Sequence, residues 1–115
     1  MVNIESNRFY SKKQENTVAG LIQGRRTPNS GATHFDKGDV AGDNILIECK
    51  TLKKVQKSHT INVEDLDKIQ EEAFARGKQL AALAFDFGPR QTQYFILRED
   101  DFQTLYQAWL TCSND

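Results

Sequence analysis

The sequence lacks any apolar run of membrane-spanning length, and its first residues, "MVNIESNRFYSKKQ", hold no hydrophobic stretch that could act as a secretory leader. Cysteine is scarce: Cys49 and Cys112 are the only two, far apart, without metal-type spacing or a disulfide framework. A reducing, intracellular compartment is therefore expected, with both thiols serving as small core or surface groups. Histidine is as sparse. His34 and His59 do not cluster with the cysteines, which argues against a zinc site. The chain has two prolines, and no Pro/Gly-rich linker, internal repeat or low-complexity tract divides its 115 residues. A single domain over 1–115 is expected, long enough to build a real core.

An overall excess of positive charge is also missing, since the formal net charge is −1. The average conceals an asymmetry. Residues 1–60 carry ten Lys/Arg against six Asp/Glu, a net of +4, whereas residues 61–115 carry five against ten, a net of −5. A phosphate-binding face requires local positive charge, and the first half can supply it. By itself the asymmetry is equally compatible with an ordinary solvated surface.

Periodicity predicts a helix from an N-cap at Ser11 to about Gln23, with Val18, Leu21 and Ile22 on its apolar stripe. Glu15 projects from that same face, where it can also serve simply as a first-turn acid favoured by the helix dipole. "GRRTPNSGATHFDKGDVAGDN" reads as loop and short strand. "NILIECKT" reads as a strand with Ile45 and Ile47 on one face and Leu46, Glu48 and Lys50 on the other. "SHTINV" suggests another short strand. A helix is predicted over Asn62 to Arg76, with Val63, Leu66, Ile69, Ala73 and Phe74 facing inward and Gly77 as its stop. "LAALAFDF" and "TQYFIL" read as strands around the Gly88-Pro89 turn. "DDFQTLYQAW" closes the chain as a helix with Phe102, Leu105, Tyr106 and Trp109 inward, or partly available to a dimer contact. The expected class is α/β, a mixed sheet flanked by helices in the order α-β-β-β-α-β-β-α.

Asp39, Glu48 and Lys50 place charge in the stretch "GDVAGDNILIECKT", and charges in a half-buried strand need compensation. Residues two apart in a strand share a face about 7 Å apart, so Glu48 and Lys50 point together. A hairpin-like return would bring Asp39 beside Glu48. A buried ion pair with Lys50 would account for that arrangement without chemistry. Two converging carboxylates would also suit Mg²⁺, which keeps waters and leaves positions for phosphate oxygens. A nearby lysine could then stabilise charge growing on phosphorus.

These residues, "GDV…ILIECK", resemble the D-(x)n-E-x-K core of the PD-(D/E)xK nuclease superfamily. The wider frame looks most like the small Holliday junction resolvases of archaea and phages. Glu15 in "SKKQEN", Arg26 to Ser30 in "RTPNS", Asp39-Val40 and Glu48-Cys49-Lys50 follow that order, across roughly residues 10–97. The resemblance implies a restriction-endonuclease-like fold and cleavage dependent on Mg²⁺, with Mn²⁺ able to substitute. It implies Asp39, Glu48 and the Cys49 backbone carbonyl as metal ligands, with Glu15 as an additional acid at the metal site and Lys50 as the catalytic lysine. Ser30 and Arg26 would contact DNA backbone or the scissile phosphate, although the Pro-Asn-Ser-Gly setting of Ser30 equally suits a turn. Lys12, Lys13, Arg25, Arg26, Lys53, Lys54 and Lys57 are the candidate DNA-backbone contacts. A four-way junction as substrate, a homodimer, no membrane partner, and a cytoplasmic setting such as that of a phage or prophage enzyme in a bacterial cell complete the expectation. Duplex, flap or single-stranded DNA as substrate, or a DNA-binding relative without catalysis, are the alternatives, because the motif serves all of them.

Overall fold

The computed structural model describes residues 4–27 and 39–113, with side chains described from residue 9 onward. Ser30 and His34 lie outside the described residues. Among the described residues eight elements follow: α1 (Ile4–Leu21), β1 (Arg25–Arg26), β2 (Val40–Gly42), β3 (Ile45–Lys50), α2 (Val63–Ala75), β4 (Leu80–Phe85), β5 (Tyr94–Ile96) and α3 (Glu99–Ser113). The strands form one five-stranded mixed sheet in the order β1-β2-β3-β4-β5. Only the β3–β4 pair is parallel, and α2 makes the crossover that a parallel pair requires. The molecule is thus an α/β fold, with three helices among the described residues. No helix among the described residues is long and apolar enough to cross a membrane.

The apolar side chains sort onto the two faces of the sheet by strand alternation. Val40, Ile47, Ala82 and Ala84 pack beneath Val18 and Ala19 of α1. Leu46, Ala41 and Ala81 pack beneath Ile69 and Ala73 of α2. Leu46, Ile47 and Leu83 are fully buried, and each such side chain stabilises the fold by about 1.5–3 kcal/mol relative to exposure. β4 is apolar along nearly its whole length because both of its faces are covered, as in other buried parallel strands.

Several sequence expectations are corrected. α1 starts at Ile4, so Ser11 lies inside the helix and is no N-cap; neither Gly nor Pro precedes it to force a break. The helix ends at Leu21, where Gln23 adopts φ 54° and the Gly24 N–H donates to the Ala19 carbonyl at 2.8 Å. "SHTINV" forms no strand. The segment runs as a loop held at the end of β4 by His59, and its last residue, Val63, opens α2. The element order still matches the expected one, because the Gly-rich segment supplies two strands, β1 and β2.

In α2, Leu66, Ile69 and Ala73 point in one direction, whereas Val63 and Phe74 lie about a quarter-turn away, by the 3.6-residue repeat, and are exposed. Phe102, Leu105, Tyr106 and Trp109 are also exposed rather than inward, because no described element packs over α3.

Loop 51–62 is held at the C-terminal ends of β3 and β4. The Gln56 N–H donates to the Phe87 carbonyl at 2.9 Å, and His59 Nδ1 donates to the Asp86 carbonyl at 2.7 Å. Phe85 packs edge-on against His59 and Phe87. Gly88 makes the docking possible: at φ 131°, a Cβ there would lie 2.5 Å from Val55 Cα.

Candidate active site

The β2–β3 hairpin builds the centre of the site. Its register pairs Val40 with Ile47, which sets Asp39 opposite Glu48. Asp39 is pinned through its main chain: its N–H donates to the Ile47 carbonyl at 2.8 Å, and its carbonyl accepts from the Thr27 N–H at 3.0 Å. Its carboxylate Oδ2 accepts from the Cys49 N–H at 2.8 Å. That bond brings the acid against the main chain between Glu48 and Lys50.

Glu48 has a carboxyl pKa pushed up from 4.5 to about 7, first by burial, then by the charge of Asp39 and a hydrogen bond to it. Lys50 opposes this rise, and Glu72 of α2 adds to it. Glu15, on α1, is raised by burial and then by Asp39, while its 3.1 Å ion pair with Arg26 Nε holds it down. The Cys49 thiol is pushed well above its ordinary range by burial, and then by the charges of Asp39, Glu15, Glu48 and Asp86. Asp39 thus lies near enough to raise Glu15, Glu48 and the Cys49 thiol, and the thiol stays protonated and unreactive.

Lys50 Nζ lies 3.7 Å from Glu48 Oε2 and 3.7 Å from Asp65 Oδ2 at the start of α2. The ammonium is therefore strung between strand and helix. Behind it, the buried Gln14 amide donates to the Lys50 carbonyl at 2.8 Å, to the Ala84 carbonyl at 3.3 Å and to Gln93 Oε1 at 2.9 Å. Asp86, also buried, accepts from the Thr51 hydroxyl at 2.8 and 3.0 Å, from Gln93 Nε2 at 2.9 Å and from the Gly88 N–H at 3.1 Å. This network ties the C-terminal end of β3 to α1 and β4. A cavity of about 210 Å³ beside it is lined by Lys13, Gln14, Thr51, Asp86, Arg90 and Gln93, among others.

The structure brings together Asp39, Glu48, the Cys49 main chain and Lys50, and pairs Glu15 with Arg26 at 3.1 Å. Lys13 borders the cavity next to the site, with its ammonium 5.7 Å from the Phe9 ring centre. Lys12 and Arg25 are exposed, as are Lys53, Lys54 and Lys57 on the loop that follows β3. Sequence reasoning missed Asp65, Glu72, Gln14, Asp86 and Arg90. For Asp65 a signal existed: with Ile69 and Glu72 it follows the i, i+4, i+7 repeat of the α2 face toward β3. Gln14 and Asp86 carried no local signal.

No three His, Cys, Asp or Glu side chains among the described residues gather closely enough to enclose a metal ion by themselves. The Asp39–Glu48 pair does fit a hard divalent cation that keeps most of its waters. It holds two carboxylates side by side, and burial together with the charge of Asp39 raises the Glu48 carboxyl to about 7. No family model, curated protein or solved structure matches the chain.

The raised Glu48 pKa has a stability consequence. The folded state holds this proton more tightly than the unfolded chain, whose carboxyl titrates near 4.5. The stabilisation is complete below pH 4.5 and is lost as pH rises to about 7. In metal-free buffer, Glu48→Gln should therefore raise the melting temperature at pH 8, removing a penalty of up to about 3 kcal/mol, with a smaller gain at pH 5. Thermal denaturation of both proteins at both pH values measures this. A variant no more stable than the parent at pH 8 would show that the carboxylates are not crowded.

Proposed function

We propose that this protein is a Mg²⁺-dependent, structure-selective DNA endonuclease that resolves four-way junctions, built on a restriction-endonuclease-like fold of the PD-(D/E)xK type. One observation carries the reading: Asp39 and Glu48 lie in contact across a hairpin, with Lys50 at the next same-face position of β3. The arrangement concentrates negative charge beside a single ammonium, which is poor economy for stability and useful for phosphoryl chemistry.

Asp39 and Glu48, with the Cys49 carbonyl, would hold the cation. When bound, Mg²⁺ supplies Lewis acidity toward a phosphoryl oxygen. Lys50, kept in place by Asp65 and by Gln14 on its carbonyl, offers its ammonium to the charge that grows on the phosphate. Glu15 orients Arg26 toward the same phosphate, and Ser30, outside the described residues, contacts the adjoining backbone in this reading. Lys12, Lys13, Arg25, Lys53, Lys54, Lys57 and Arg90 neutralise phosphates on the arms, giving steeply salt-dependent binding without reading bases. A four-way junction is two-fold symmetric, so a homodimer would present two sites to opposed strands.

The test compares cleavage of a synthetic four-way junction, a linear duplex and a flap in Mg²⁺ and in EDTA. Cleavage of the junction above the others, abolished by EDTA, is expected. Equal rates on all three would remove the junction assignment and leave a general nuclease. No cleavage of any of them, with binding intact, would leave a DNA-binding protein.

A further inference from the structure

The cavity of about 210 Å³ lies at the C-terminal end of β3, between α1 and the turn that leads from β4 to β5. Two of its lining residues, Gln14 and Thr51, are chain neighbours of Glu15 and Lys50, so it adjoins the candidate active site. Its volume falls short of the roughly 300–1,000 Å³ that encloses a drug-sized ligand, yet it holds far more than a single water. It suits a small polar group.

The charges of the lining narrow that group. Lys13 comes from α1 and Arg90 from the β4–β5 turn, and neither makes an ion pair with any described residue. The carboxylate in the lining, Asp86, is occupied by Thr51, Gly88 and Gln93 instead. Both cations therefore remain available to an anion, and Tyr10 and Gln91 add a hydroxyl and an amide beside them.

The backbone at Arg90 is a second, independent observation. The Gln91 N–H donates to the Gly88 carbonyl at 3.3 Å, closing a turn with Pro89 and Arg90 at its corners, and Arg90 adopts φ 64°. That corner favours glycine, because a side chain there is strained. An arginine kept in such a place, with no ion pair inside the fold, points to a ligand outside it.

Charge then sets the ligand class. A phosphodiester carries one negative charge, whereas a phosphate monoester carries about −1.5 to −2 near pH 7 and offers three acceptor oxygens. Two unpaired cations match the monoester. A diester is also flanked by nucleotides on both sides, and a concave site of this size encloses the end of a chain more readily than its middle.

We propose that this cavity is a subsite for a phosphate monoester on a nucleotide, its oxygens held between the Lys13 ammonium and the Arg90 guanidinium. In the nuclease reading the source is at hand, because hydrolysis of a diester leaves such a group on one of the two strand ends. That source rests on the reading, whereas the cavity and its cations do not.

The test is ¹H–¹⁵N NMR of the full chain in EDTA, where no cleavage is expected. The probes are thymidine 5′-monophosphate, thymidine, and a short single strand with and without a 5′-phosphate. The monophosphate and the phosphorylated strand should shift the amides of Thr17, Thr51 and Gln91, and thymidine should not. Lys13→Ala and Arg90→Gly should each weaken monophosphate binding about tenfold. Arg90→Gly should also melt no lower than the parent, because glycine relieves the turn. Shifts from the monophosphate without a terminal-phosphate effect on the strand keep the site and assign it to free nucleotides. No shift from either phosphate-bearing probe at millimolar concentration overturns the inference. So do thymidine acting as strongly as its monophosphate, and variants that bind like the parent. A strand that acts alike with and without its 5′-phosphate, while the monophosphate is silent, is binding through its diesters and overturns it too. None of these readouts depends on cleavage. A phosphate-binding cavity in a protein that cuts no DNA would sink only the functional reading, and an active nuclease whose cavity ignores phosphate would sink only this one.

Discussion

Lys50→Ala and Glu48→Gln should each lower junction cleavage by about 10²–10³-fold, the usual loss when a transition-state charge stabiliser is removed. Junction affinity should stay within a few-fold of the parent, because in the proposed reading phosphate binding would be spread over several exposed Lys and Arg rather than over these two side chains. Lys50 is the more telling of the two. Its ammonium lies 3.7 Å from both Glu48 and Asp65, so the fold already holds it beside the carboxylates before any substrate arrives. Losing it removes a fixed cation from the place where negative charge would build up. Single-turnover cleavage together with gel-shift affinity separates the two effects. If rate and affinity fall together, Lys50 is a binding residue. If neither variant slows cleavage, the chemistry lies elsewhere on the molecule.

Asp86→Ala is expected to destabilise the protein by about 3 kcal/mol, the range for stripping the acceptor from several buried donors at once. Asp86 is 3% exposed, and its carboxylate accepts from Thr51, Gly88 and Gln93. Alanine would leave those donors unpaired and would loosen the Gly88 turn on which the Lys53–Lys57 loop docks. Gln93 also accepts from Gln14, whose amide holds the Lys50 carbonyl, so the disturbance reaches the site. A fall in melting temperature of about 10 °C or more is the corresponding readout for a domain of this size. Urea denaturation followed by circular dichroism measures the free energy directly. A loss within about 0.5 kcal/mol, the range of ordinary surface substitutions, would show that water reaches this network freely.

Much of the site's composition was legible locally. Strand alternation put Glu48 and Lys50 on one face of β3, and the structure has them there, with Leu46 of the same face under α2. Gly77, at φ 71°, ends α2 as its position suggested. The errors share a cause. Periodicity reveals that a face is apolar without revealing whether anything lies over it, so the α3 stripe was expected inside and is outside. Likewise "SHTINV" has strand-like residues, but His59 is held as part of a loop by the Asp86 carbonyl and the Phe85 ring.

What the residue order alone determined is the set of local geometries: which side chains share a face, where helices stop, and which acids and lysines could be neighbours. These follow from fixed repeats of about two and 3.6 residues, which act over a few positions. Tertiary structure decided the partnerships. Asp39 meets the Cys49 N–H because the hairpin register is Val40 to Ile47, Lys50 gains Asp65 because α2 crosses back over β3, and Gln14 reaches Lys50, Ala84 and Gln93 across 36, 70 and 79 positions. Contacts over such separations are selected by the packing of whole elements, and no short window of sequence contains that information.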